Sequence, residues 1–119
     1  MFVNVSNHPS ELWLDKQKEC ALCYGDIVDV AFPAIHKDYD SNKYDELVEL
    51  YYERIMGICP DVVMVQGEFI FTYRLVCKLK ASGIRVVSAR SERVCQEFKD
   101  ENNVIHKHSI FEFIDFVDY

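Results

Sequence analysis

No apolar run in this sequence approaches the ~20 residues needed to cross a bilayer. The opening Met1-Phe-Val-Asn-Val-Ser has neither the basic flank nor the long apolar stretch of a signal peptide. A cytoplasmic protein with no membrane partner is the expectation. Also missing are Gly-x-Gly-x-x-Gly and Gly-x-x-x-x-Gly-Lys-Ser/Thr, so the common dinucleotide and nucleoside-triphosphate fingerprints are absent. No Gly-x-Ser-x-Gly marks a hydrolase nucleophile. There is no linker, repeat or low-complexity tract, and 119 residues are too few for two domains. One domain spanning residues 1–119 follows.

What is present is ordinary globular composition, 50% hydrophobic and 28% charged. The five cysteines are odd in number and scattered. Cys20 and Cys23 form a Cys-x-x-Cys pair, but the pair closes a predicted helix rather than opening one, and no second pair completes a zinc site. Buried thiols packing as small hydrophobes are the expectation. His106 and His108 share a face of the tail without a clear third ligand, so no metal or other cofactor is implied. The net charge of −7 argues against duplex DNA as a partner. Yet residues 69–99 hold seven of the thirteen basic residues and only two of the twenty acids. An acidic chain with one basic segment suits a compact anion; the plainer reading is a solvated helix face.

Apolar spacing predicts the elements. Phe2-Val-Asn-Val reads as a strand, and Ser10 as N-cap of a helix to about Tyr24, stopped by Gly25. A strand from Asp26 ends at Pro33. Between Lys43 and Ile58, Tyr44, Leu47, Val48, Tyr51 and Ile55 recur at helical spacing. Val62-Val-Met-Val is a strand covered on both faces. A helix opens at Gly67-Glu68 and closes at Ser82-Gly83, followed by a strand from Ile84. Arg90–Arg93 reads as a polar turn leading to a short helix or irregular segment near Lys99. The tail from Val104 alternates apolar and polar residues near its end, which suggests an antiparallel edge strand. The expected fold is α/β and Rossmann-like: a mainly parallel sheet of four to five strands, with helices on both faces.

Ligands of open α/β sheets bind beyond the carboxyl ends of the strands, near a topological switch point. Three polar segments should meet there: Ser6-Asn7-His8-Pro9-Ser10; Gln66-Gly67-Glu68 with Thr72-Tyr73; and Ser88-Ala89-Arg90-Ser91-Glu92-Arg93. Each also has a bland reading. Ser6, Asn7 and Ser10 suit a helix cap, and His8 an exposed turn. Gly67 suits a tight turn, Glu68 the positive end of a helix dipole, and Arg90 and Arg93 ion pairs with Glu92 or Glu97.

In matching order over most of the chain, Ser6-Asn7-His8-Pro9-Ser10 with Trp13 and Gln17, Val62–Phe69 with Thr72-Tyr73, and Gly83–Arg93 resemble small type III CRISPR-associated accessory proteins. That group includes ring nucleases, which bind and cleave cyclic oligoadenylate messengers, and relatives that only bind them. The resemblance implies a homodimer with a ring-shaped RNA ligand across its two-fold axis. It implies adenines stacked on Tyr73 or Phe69, and attack of a ribose 2′-OH on its own phosphodiester without a metal. His8 is the expected acid/base group, because histidine titrates nearest neutral pH, with Glu68 a second base. Arg90 and Arg93 would meet phosphate charge, Arg93 at the catalytic step. Ser6, Asn7, Gln66, Gly67, Thr72, Tyr73, Ser88 and Ser91 would hold the ligand. A non-catalytic messenger-binding protein, or a module for another small anionic nucleotide, are the alternatives.

Overall fold

The computed structural model describes residues 1–119. Five strands, β1 (Phe2–Ser6), β2 (Ile27–Ala31), β3 (Val62–Val65), β4 (Arg85–Lys99) and β5 (Ile105–Asp118), form one mixed sheet in the order β2-β1-β3-β4-β5. The first four are parallel, and β5 runs antiparallel to β4. Three helices, α1 (Asp15–Leu22), α2 (Ser41–Gly57) and α3 (Phe69–Ala81), connect the parallel strands. None of them is long and apolar enough to cross a membrane.

Alternation along the strands creates two cores. Val3, Val5, Val63, Val65 and Val86 turn toward α2 and α3, where Tyr51, Ile55, Phe71, Leu75 and Leu79 meet them. Phe2, Val62, Met64 and Val87 pack instead with Trp13 and Ala21. All four residues of β3 are buried, as their unbroken apolar run requires of a strand covered on both sides. At the start of α2, the Asp40 carboxylate accepts from the Lys43 amide at 2.9 Å, satisfying one of the helix's free N–H groups.

Three expectations are corrected. The helix expected from Ser10 to Tyr24 is broken: Ser10–Leu12 is a single 3-10 turn, Trp13 and Leu14 are extended, and α1 begins only at Asp15. The break turns the Trp13 ring inward, edge-on to Phe2 at 6.2 Å. Buried aromatic area outweighs one turn of helix.

The turn expected at Arg90–Arg93 and the helix toward Lys99 are absent. β4 continues as strand through Lys99, paired residue by residue with β5. Beyond the sheet body, water lies on both faces of this hairpin, so nothing imposes the apolar alternation that announces a strand. A β-bulge between Arg90 and Ser91, opposite Ile114, marks where the hairpin leaves the body. The projecting arm gives the chain a radius of gyration of 17.5 Å and a longest extent of 57 Å. A compact domain of this length has a radius of about 13–14 Å.

The cysteines are not buried. Cys20 is half-buried and Cys23, Cys59, Cys77 and Cys95 are exposed, with no disulfide among them. Cys95 lies on β4 rather than on a helix.

Candidate functional site

The strand order reverses direction between β1 and β3: from β1 the chain moves outward to β2, then returns across to β3. The loops after these two strands must therefore part, leaving a crevice at their carboxyl ends. Buried polar groups build one wall of it. Asn4 is 1% exposed in the middle of β1. Its amide donates to Asp29 Oδ1 at 2.8 Å and to the His8 carbonyl at 2.9 Å, and its oxygen accepts from Ser6 Oγ at 2.7 Å. Asp29, on β2, also accepts from the Ser10 hydroxyl at 2.8 Å and from the Ser10 amide. Trp13 Nε1 donates to the same His8 carbonyl at 3.1 Å. The backbone of His8 is thus clamped by two donors while its imidazole stays exposed. Ser10, expected as a helix cap, is tied to Asp29 instead.

The second wall starts from Gln66. Its amide makes a reciprocal pair with the backbone of Ala89, Nε2 to the carbonyl at 3.2 Å and Oε1 from the N–H at 3.0 Å. A side chain here replaces the next rung of the β3–β4 ladder, whose backbone pairing ends at Met64 and Val87. The strands spread beyond that point. Gly67 follows with an ordinary backbone; what requires glycine is the Phe32 ring, 2.3 Å from where a Cβ would stand.

Between the walls lies a cleft of about 560 Å³ lined by Ser6, Asn7, His8, Gln66, Gly67 and Ser91, with Trp13, Phe111 and Phe113 among its apolar surfaces. That volume is within the range of about 300–1,000 Å³ typical of small-ligand sites. The segments after β1 and β3 and the extension of β4 therefore converge. His8 is the only titratable side chain lining the cleft.

The remaining expected residues lie elsewhere. Thr72, Tyr73 and Ser88 line a second cavity of about 700 Å³ with Phe69, Lys80 and Tyr119, and only Gln66 and Gly67 border both. The Thr72 hydroxyl is buried without a partner. Glu68 lines neither cavity. Its carboxylate caps α3, accepting from the amides of Ile70 at 2.6 Å and Phe71 at 3.3 Å. Tyr44 lies beside it, its hydroxyl pushed up first by burial and then by the Glu68 carboxylate. Arg90 is held by both oxygens of Asp115, at 3.0 and 2.9 Å, rather than by Glu92 or Glu97. Arg93 sits on the arm opposite Phe111, its guanidinium donating to Ser109 Oγ at 3.3 and 3.1 Å and to no carboxylate. Asn4 and Asp29 escaped the sequence reading. Their signal was there: a polar residue within an apolar strand must find a partner.

The strand order and the cleft together define an α/β protein whose candidate site is a cleft at the β1/β3 switch point. More particularly, the chain belongs to the Uncharacterized protein MJ1673 family, whose family model matches residues 1–117. No curated protein matches the chain.

Proposed function

We propose that this protein binds a cyclic oligoadenylate in the switch-point cleft and opens the ring, as the CRISPR-associated ring nucleases do. One observation carries the reading: the ends of β1 and β3 and the middle of β4 deliver Ser6, Asn7, His8, Gln66, Gly67 and Ser91 to a single cleft. The strand order supports a Rossmann-like arrangement with helices on both faces, in which that crevice is where nucleotides sit. His8 is the group that takes the ribose 2′-OH proton. The 2′-oxygen then bonds to phosphorus, the P–O5′ bond breaks, and the leaving 5′-oxygen takes up a proton, giving a 2′,3′-cyclic phosphate end. Arg93 lies outside the cleft lining but stands opposite the cleft residue Phe111, with no carboxylate neutralising it, and is the cation that reaches the developing phosphate charge.

The protein works in the cytoplasm as a homodimer, with the arm against the second copy. Phe98, Val104 and Ile105 stand half or more exposed on this arm. A two-stranded ribbon without a covering layer is only marginally stable.

Binding without cleavage is the second reading, and one observation favours it: the Glu68 carboxylate is committed to the first turn of α3. Incubation of the purified protein with cyclic tetra-adenylate and EDTA, followed by chromatography, separates the readings. Ring opening that is lost in His8→Ala, with binding kept, supports the enzyme. Tight binding of an intact ring supports the binding protein. A ring neither bound nor opened removes both, and a thermal shift with mononucleotides alone would point to a module for another small anion.

A further inference from the structure

We propose that the cleft contains an adenine-reading subsite, formed by Gln17 and the apolar rim Leu12, Leu14 and Phe111; the proposal rests on the nucleotide reading above. Leu12, Leu14 and Phe111 all line the cleft, yet are 73%, 65% and 70% exposed. They come from two separate elements, the segment around the 3-10 turn and the root of the arm. Water-exposed apolar groups gathered at a cleft mouth mark a site whose occupant covers them, and a flat purine face does so at low cost.

Gln17 stands in the first turn of α1, half-buried, and lines the same cleft. Its amide makes no hydrogen bond to any other group of the chain, whereas Asn4 and Gln66 have theirs committed to Asp29, His8 and Ala89. A free carboxamide offers one donor and one acceptor side by side, the complement of the adenine N6-amino and N7 pair. Guanine presents acceptors at both O6 and N7, which this amide cannot pair together. Guanine's other edge can meet the amide through O6 and N1–H, but its 2-amino donor then finds no carboxylate in the cleft. Asn7 also lines the cleft unpartnered, but it is exposed on the loop after β1, whereas Gln17 is half-buried on a helix.

Calorimetric titration of the intact protein with AMP and with GMP tests this. AMP is expected to bind more tightly by about 5- to 150-fold, the range of one bidentate base contact. Gln17→Leu should bring the two nucleotides within about three-fold of each other. Gln17→Glu should weaken AMP further, since a second acceptor then faces N7. Phe111→Ala should weaken both alike, and Asn7→Ala should leave the preference in place. Circular dichroism checks that each variant is folded. Equal affinity for AMP and GMP in the wild type, no binding of either, or a preference that survives Gln17→Leu overturns the subsite. Loss of cyclic tetra-adenylate binding alone, with the AMP preference intact, would instead remove the ring reading and leave the subsite standing.

Discussion

At Gly67 one hydrogen atom decides the packing. The Phe32 ring occupies the space a methyl group would need, and it is itself wedged edge-on against Phe71 at 5.2 Å. Gly67→Ala should therefore cost about 1–3 kcal/mol, the usual penalty of overpacking. In a Phe32→Leu background the same change should cost clearly less; urea melts of the four proteins in the cycle measure the difference, and equal costs would exclude the contact as the cause. Thr72 predicts the opposite sign. Its hydroxyl is buried with no partner, so Thr72→Val should raise stability by about 1 kcal/mol. Asn4→Ala leaves Asp29 and the His8 carbonyl each short of a donor, and should cost about 1–3 kcal/mol in the same melts. Its polarity within an apolar strand was legible in the sequence, but its partners were not. They lie 25 residues away on β2 and across a turn whose shape depends on Trp13.

Among the elements, the parallel strands and long helices were legible, because burial of one face writes a period into the sequence and burial of both faces an unbroken apolar run. β3 and α3 show this best, with residues Val62–Val65 all buried and Phe71, Leu75 and Leu79 on the inner face of the helix. The arm was illegible for the converse reason. Residues 92–99 of β4 bury almost nothing, so strand pairing there answers to β5 and not to a core. Its tip has its own device. Asp100 is held below the ordinary carboxylate range, chiefly by its hydrogen bond to His106 and then by the amides of Val104 and Asn102. A carboxylate lowered in the folded state contributes its stabilisation above the unfolded pKa and loses it as pH falls through the folded one. The tip should therefore fray as pH falls below about 4. Faster hydrogen exchange of the Asn102 and Val104 amides relative to those of β1 would register it, and unchanged protection would count against the contact.

For the whole molecule, the arm separates into a unit whose removal the body should tolerate. Replacing residues 94–110 with Asn-Gly keeps Arg93 opposite Phe111 and leaves the cleft wall in place. The shortened chain should melt within a few degrees of the full one, because the deleted residues reach neither core. Sedimentation should show the full chain as a dimer and the shortened chain as a monomer; a shortened chain that remains dimeric would place the subunit contact elsewhere.

Composition and apolar period alone determined that this is an α/β chain with a mainly parallel sheet and an antiparallel edge strand, since those properties follow from which faces must leave water. They also placed two polar segments after β1 and β3, whereas the third, Ser88–Arg93, lies within β4. Tertiary structure alone decided how those segments divide: Ser6, Asn7, His8 and Ser91 to one cavity, Thr72, Tyr73 and Ser88 to another, with Glu68 turned to the helix it caps. The division depends on which side of a twisting strand each residue leaves from, and on whether a carboxylate finds a nearer partner than a ligand. Distances across the fold settle both, and spacing along the chain does not contain them.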